Sequence, residues 1–260
     1  MKNNYLNSIS LAIIAIALTS CATIQINYSG KKVEKIQNVA LFSTMIGKIQ
    51  QPIFPLIDAA VFNQKTNSIA DQIMDLQKQN VDKCQAIVAS SLENNFHCKV
   101  LYADTLRNST GYAELKEKFD FKSSLRTKND HFPLIITAKD DINPFRFENG
   151  DVLEYFNYSA DYKSIISELG KRIDTDLIAV SYSTLTITGA GVFGIYGYLR
   201  LDTYLYLFDK YGDLISDAHT WSKPENISGN QIDEYQAQLD NLSIILEPMM
   251  DKLILKYKAN

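Results

Sequence analysis

Histidine and cysteine are scarce in this chain, three of each in 260 residues. His97, His131 and His219 are scattered, and apart from the adjacent His97-Cys98 no pair has the spacing at which zinc ligands recur. No G-x-S-x-G elbow and no H-E-x-x-H is present, and no Cys and His stand at a spacing that supports nucleophilic catalysis. The residues therefore point to a protein with no enzymatic activity, no metal site and no cofactor. Positive charge is also short: 26 Lys and Arg stand against 30 Asp and Glu, so nothing suggests a nucleic-acid partner. There is no internal repeat, no low-complexity tract and no run of the roughly 20 apolar residues that a transmembrane helix requires. With 46% hydrophobic residues, what is left is a packed globule: one large domain, or a domain with an insertion.

The most informative stretch comes first. Lys2 supplies a cation, Ile9 to Leu18 is apolar with a single hydroxyl, and the run closes on Leu18-Thr19-Ser20-Cys21. A charged start, a short apolar run and small exit residues describe a cleaved secretion signal rather than a stable span. The ending resembles the lipobox of bacterial lipoproteins, an aliphatic residue and two small ones before a cysteine. That resemblance implies signal-peptidase recognition through Leu18, Thr19 and Ser20, and lipidation of Cys21 as the first residue of the mature protein. The alternatives are an ordinary signal peptide that happens to end near a cysteine, or a cytosolic protein with an apolar start. Each buried methylene contributes about 0.8 kcal/mol, so two or more acyl chains would hold the protein on its membrane. Ala22 is not the aspartate that, in the better-known sorting rule, retains lipoproteins at the inner membrane. The expected location is the periplasmic face of an outer membrane.

Residues 1–20 are thus read as signal peptide, 21–36 as a short tether or edge strand, and 37–260 as one globular domain with an insertion at about 104–160. Ile24, Ile26 and Tyr28 alternate with Gln25 and Asn27, which suits an edge strand. Val39 to Ile46 is apolar or small on both faces, as a central strand covered on both sides must be. The segment 52–62 is broken by Pro52 and Pro55 and is too apolar for an ordinary loop. It is read as a short helix plugging the core, or else as a loop that docks on a partner or dips into a membrane.

Ser68-Ile69-Ala70-Asp71 has the form of a capping box. The helix it opens runs to about Asn95, with Ile69, Ile73, Leu76, Val81, Cys84, Ile87, Val88 and Leu92 in an arc of about 160° and Gln77 and Asn80 interrupting it. His97 to Ala103 reads as a strand parallel to the first, completing a strand-helix-strand unit. Cys84 lies mid-helix, on the order of 15 Å from the helix end at 1.5 Å per residue. It should therefore be too far from Cys98 to pair, and two buried thiols are expected, the alternative being a broken helix that lets the bridge form.

In the insertion, a helix is expected from Tyr112 to Phe119 and a strand from Pro133 to Thr137. The oxygen-rich Asp140, Asp141, Asn143, Glu148 and Asp151 invite a calcium reading but lack the spaced ladder and central glycine of a calcium loop. Ser159 should cap a helix bearing Tyr162, Ile165, Ile166 and Leu169, with Gly170 placed to end it. Leu177 to Ile187 is a strand. Gly189-Ala190-Gly191-Val192-Phe193-Gly194 matches the dinucleotide pattern letter for letter, yet that fingerprint must open a helix, and Tyr198 to Phe208 alternates as a strand. The glycines are therefore a turn between antiparallel strands. A third strand, Leu214 to Trp221, completes a meander, and an amphipathic terminal helix runs from Ile232 to Tyr257 with a kink expected at Pro248.

The fold class is α/β, bordering on α+β: a mixed sheet with a strand-helix-strand unit, an insertion, a helix, a three-stranded antiparallel meander and a terminal helix packed on the sheet. With the helix that leads into Asp174-Thr175-Asp176-Leu177-Ile178-Ala179-Val180 and the strand pair that closes on Phe208-Asp209-Lys210-Tyr211-Gly212-Asp213, this order resembles a group of bacterial envelope domains. The group comprises the amino-terminal domain of the Tol-Pal translocation protein, the curli-export lipoprotein and the lipoprotein activators of penicillin-binding proteins. The insertion at 104–160 and the proline-bounded 52–62 segment depart from that group, so no partner carries over from it, and the leading expectation is a non-enzymatic, lipid-anchored accessory that binds or assembles another envelope component. Its candidate contact surfaces are Phe54, Leu56, Ile57 and Phe62 on one segment and Tyr198, Tyr204 and Tyr206 on another. The alternatives are an oligomeric part of an export or transport apparatus, whose 188–197 turn extends into a neighbour or the bilayer, and an enzyme of unknown class.

Overall fold

Val39 and Leu41 point into one hydrophobic cluster and Ala40 and Phe42 into a second, so the first long strand has a core on each side, as its two-faced composition predicts. The computed structural model describes residues 24–50, 56–119, 124–126, 135–139 and 160–259. That strand, β2 (Asn38–Gln50), is parallel to β3 (Lys99–Leu101) and β6 (Leu177–Ala190) and antiparallel to β5 (Ile135–Ala138). Around it, among the described residues, lies one sheet in the order β1-β8-β7-β6-β2-β5-β4. Here β1 is Gln25–Tyr28, β4 Ser124–Arg126, β7 Gly197–Asp209 and β8 Leu214–Trp221, and β9 (Glu225–Ile227) adds to β7. The architecture is mixed α/β, with the meander β6-β7-β8 antiparallel throughout.

One face is covered by α2 (Ala70–Phe96), α6 (Ile232–Leu239) and α7 (Leu242–Ala259). Ile73, Cys84, Val88 and Leu92 of α2 and Leu246, Met249 and Leu253 of α7 are fully buried. The other face receives Leu106 of α3 (Ala103–Arg107), Tyr112 and Leu115 of α4 (Thr110–Phe119), and Ile165, Ile166 and Leu169 of α5 (Ala160–Arg172). Taking one such side chain wholly out of water contributes about 1.5–3 kcal/mol. Interruptions of the α2 stripe find partial hydrogen-bonding partners: Gln77 Oε1 accepts from Thr137 Oγ1 at 3.0 Å, and Asn80 Nδ2 donates to the Leu76 carbonyl at 2.9 Å.

The two short motifs that carried the family resemblance turn out to be latches. Thr175 Oγ1 accepts from the Ala40 amide at 3.0 Å, and Asp176 Oδ2 accepts from the Gln37 and Asn38 amides, so they fix the start of β6 against β2. Asp209 Oδ1 accepts from the Tyr211 and Asp213 amides and closes the β7–β8 turn. Lys163 and Lys31 reach Asp213 in that same turn, at 2.5 and 2.6 Å, and hold its carboxyl down to about 2.

Four local expectations give way to non-local packing. Ser68 does not cap α2. It sits in the last turn of α1 (Leu56–Ser68), where its hydroxyl donates to the Lys65 carbonyl, and α2 follows after the single residue Ile69. Gly170 does not end α5, which continues to Arg172; the glycine is there because a Cβ would collide with the Lys210 backbone of the β7–β8 turn. The terminal helix breaks at Asp240 and Asn241, between α6 and α7, and Pro248 lies inside α7. His97 to Ala103 yields only the three residues of β3, parallel to β2 as expected.

The two remaining thiols are free: Cys84 is buried and Cys98 half-buried, and burial pushes the Cys98 thiol up to about 11. The segment 24–36 is held rather than loose. Beyond β1, Tyr28 and Phe96 each meet the Tyr257 ring edge-on, and the Val33 amide donates to the Tyr257 hydroxyl at 3.0 Å. Among the described residues no helix is long and apolar enough to cross a membrane.

Candidate functional site

β2 and β6 are parallel neighbours with Gln50 opposite Ile187, so the chain leaves both at the same end of the sheet. Two apolar segments that are 130 residues apart in sequence consequently meet there. The first is α1, with Asp58 in its first turn and Lys65 in its last, signs that suit the helix dipole. The second is the turn Gly191–Tyr196 between β6 and β7, containing a single 3-10 turn at Val192–Gly194.

Gly194 makes the meeting possible. It sits at φ +64, and a Cβ there would lie 2.6 Å from the Asp58 carbonyl oxygen and 2.9 Å from the Phe62 nitrogen, so only glycine lets the turn lie on the α1 backbone. Lys65 then ties the two together, its ammonium donating to the Gly194 and Ile195 carbonyls at 3.0 and 2.9 Å.

What this junction presents to solvent is apolar. Ile57 is 75% exposed, Val192 63%, Phe193 72% and Ile195 62%, with Val61, Tyr196 and Tyr198 exposed beside them. Ile57 and Val61 are one helical turn apart and share a face, and Tyr196 meets Tyr198 edge-on at 5.7 Å. No charged residue occurs between Thr188 and Leu199. Phe193, at the apex, has φ 57, a left-handed conformation that is strained for a bulky side chain. Packing of the fold therefore does not explain its place there.

Of the residues expected to form a contact surface, Ile57 and Tyr198 are on this tip. Phe62 is not: it is fully buried and forms the tip's footing. Tyr204 and Tyr206 are also interior, 6% and 3% exposed, because the second face of β7 is packed rather than open. Tyr204 stacks between Tyr182 and His219, and Tyr206 on Phe208. Phe54 lies outside the described residues, as do Leu18, Thr19, Ser20, Cys21, His131, Ser159 and the 140–151 acidic positions; of Leu56 only the helical backbone is described. Val61, Val192, Phe193 and Ile195, which carry most of the tip's exposed apolar surface, are not singled out by the sequence, although they lie in the 52–62 segment and the 188–197 turn that it marks as contacts.

A second cluster occupies the same end of β7 and β8. Asp202 is 1% exposed and accepts from Arg200 Nε at 2.8 Å and contacts His219 Nε2 at 3.0 Å, while the Arg200 guanidinium lies over the Trp221 ring at 5.5 Å. Next to it a cavity of about 170 Å³ is lined by Gln25, Asn27, Tyr204, Tyr206, Asp217 and His219. Burial pushes the Asp217 carboxyl up, against the Asn27 amide, which donates to both its oxygens. Among the described residues no group of His, Cys, Asp and Glu is arranged to hold a metal. The cluster is the polar closure of a sheet face.

No family model and no curated protein matches this chain. Among solved structures it is similar to a PelC dodecamer from Paraburkholderia phytofirmans, with TM-score 0.33 and 8% identity over 88% of this chain and 95% of that one. A second crystal form of the PelC dodecamer gives TM-score 0.30 and 8% identity over 88% and 99%. Likeness at these TM-scores carries no argument about function, which rests on the tip itself.

Because Phe193 is strained and exposed, Phe193→Gly should leave thermal stability unchanged or raise it by up to about 1 kcal/mol, relief of the left-handed strain outweighing the extra unfolded-state entropy. Thermal or denaturant unfolding of the variant checks this, and a loss of stability would show that the ring serves the fold.

Proposed function

We propose that this chain is a lipid-anchored cell-envelope protein, without catalytic chemistry of its own, that engages another component of the envelope through the apolar tip. The lipid sits on Cys21, after recognition of Leu18, Thr19 and Ser20, and the domain faces the periplasm from an outer membrane. One observation carries the reading. Large apolar side chains, three of them on a charge-free turn, are held in water by a footing that is otherwise well packed. Isolated exposed hydrophobics need no explanation, whereas a contiguous group on a fixed projection marks a contact surface.

A second reading, an oligomeric component of an export apparatus, is favoured in one respect: the β6–β7 turn projects beyond the paired length of β8, which stops at Asp202, and so can reach a neighbouring copy. The solved PelC structures are described as dodecamers.

A photocrosslinking residue in place of Ile195 in intact cells tests the proposal. An adduct to a protein or lipid of the envelope is the expected result. An adduct joining two copies, with a multimeric mass in mild detergent, selects the oligomer. No adduct, with Phe193→Asp and Ile195→Asp silent in the cell, would sink both readings.

A further inference from the structure

We propose that the tip is a membrane-contact surface that dips into the leaflet carrying the acyl chains of Cys21, giving the domain a second, non-covalent attachment and a fixed orientation. This rests on the lipidation proposed above and names the bilayer as the component that the tip engages.

The first argument is where the chain enters the fold. β1 is antiparallel to β8, with Gln25 opposite His219, and His219 is opposite Tyr204 on β7. Going backward from Gln25 therefore leads in the same direction as going backward from Tyr204 toward Gly197: the amino-terminal connection leaves the sheet at the tip end. Four residues, from Gln25 back to Cys21, reach at most about 14 Å when fully extended. The seven residues from Tyr204 to Gly197 cover about 23 Å at a strand's rise, and the Gly191–Tyr196 turn lies beyond them. The tip thus extends farther toward the anchor's side than Cys21 itself can reach. With the acyl chains in the leaflet, the apolar tip lies at the end of the domain that faces it.

The second argument distinguishes lipid from a protein partner. Polar backbone groups entering lipid need partners, and several in this turn have them. The Gly191 amide donates to the Tyr196 carbonyl at 2.8 Å, the Gly194 amide to the Gly191 carbonyl at 3.0 Å and the Ile195 amide to the Val192 carbonyl at 3.4 Å. Lys65 supplies the donors for the Gly194 and Ile195 carbonyls. The side chains are graded in the same sense. Val192, Phe193 and Ile195 form the apex, and Tyr196 and Tyr198 stand behind them, where amphipathic rings suit the headgroup layer. A shallow insertion of about 5–10 Å is the depth at which such surfaces sit.

The test uses the full lipidated protein in vesicles of phosphatidylethanolamine and phosphatidylglycerol, with a nitroxide on Phe193→Cys, Ile195→Cys or Tyr211→Cys. Tyr211 is exposed in the β7–β8 turn at the opposite end of the sheet. Cys84 is buried, and Cys98, which is free and half-buried, is replaced by Ser in each variant so that the label goes to the introduced thiol. At positions 193 and 195 oxygen should relax the spin and a water-soluble nickel chelate should not; at 211 the order should reverse. If the chelate reaches 193 and 195 as readily as 211 on protein that floats with the vesicles, the membrane contact is wrong while the anchored reading stands. If 193 and 195 are shielded from oxygen as well as chelate and show spin coupling between copies, the tip is an oligomer interface and the membrane contact is again wrong. Protein that does not float with the vesicles at all overturns the lipidation on which both depend.

Discussion

Phe62→Ala is expected to lower stability by about 3–5 kcal/mol, the cost of removing a fully buried aromatic ring, and to lower the melting temperature by on the order of 10 °C. The ring is fully buried, a Cβ on Gly197 would run into it, and a Cβ on Gly229 would lie 2.6 Å from its Cε2. Two glycines leave the space that this ring fills. The neighbouring backbone of α1 supports the turn at Gly194, so the cavity would loosen the tip as well as the core. Ile57, five residues earlier on the same helix and largely exposed, supplies the contrast. Ile57→Ala should change stability by no more than about 0.5 kcal/mol, as surface substitutions usually do. Calorimetry of the two variants checks the assignment: equal effects would mean that the helix is not divided into a footing and a contact face.

The second large effect concerns the anchor. Cys21→Ser should abolish incorporation of labelled palmitate and leave the precursor uncleaved by the lipoprotein peptidase, because only a thiol takes the diacylglyceryl thioether. One acyl chain gives marginal binding and two or more hold firmly, each methylene contributing about 0.8 kcal/mol. Processing and labelling that persist in the serine variant would show that the lipobox resemblance is accidental. The structure raises the stakes of this result, since β1 is paired to β8 from Gln25 onward, leaving only a few residues of reach.

Much of the fold was legible because its signals are local or periodic. The two-faced apolar run of β2, the α2 stripe, the β6–β7–β8 meander and the turn between antiparallel strands at Gly191 to Tyr196 all follow from residue spacing. The failures share a cause. Whether Gly170 caps a helix or admits a neighbouring turn, and whether Ser68 opens a helix or lies inside the end of another, depends on what packs there from elsewhere in the chain. Tyr204 and Tyr206 show the same limit from the side of composition: a tyrosine fits a buried face or an open one, and only the packing of their side of β7 decides. The tip was half legible. The 52–62 segment stood out as too apolar for a loop and the 188–197 turn as an extension between strands, but their meeting follows from β2 and β6 lying side by side and parallel, a long-range pairing that no local pattern encodes.

The central claim is that one end of the sheet carries both the anchor and the contact surface. Photocrosslinking in intact cells from position 193 and, separately, from position 211 compares the two ends of that sheet in one experiment. Adducts to an envelope component from 193 and none from 211 are the expected result; adducts from 211 alone, or equally from both, would contradict it.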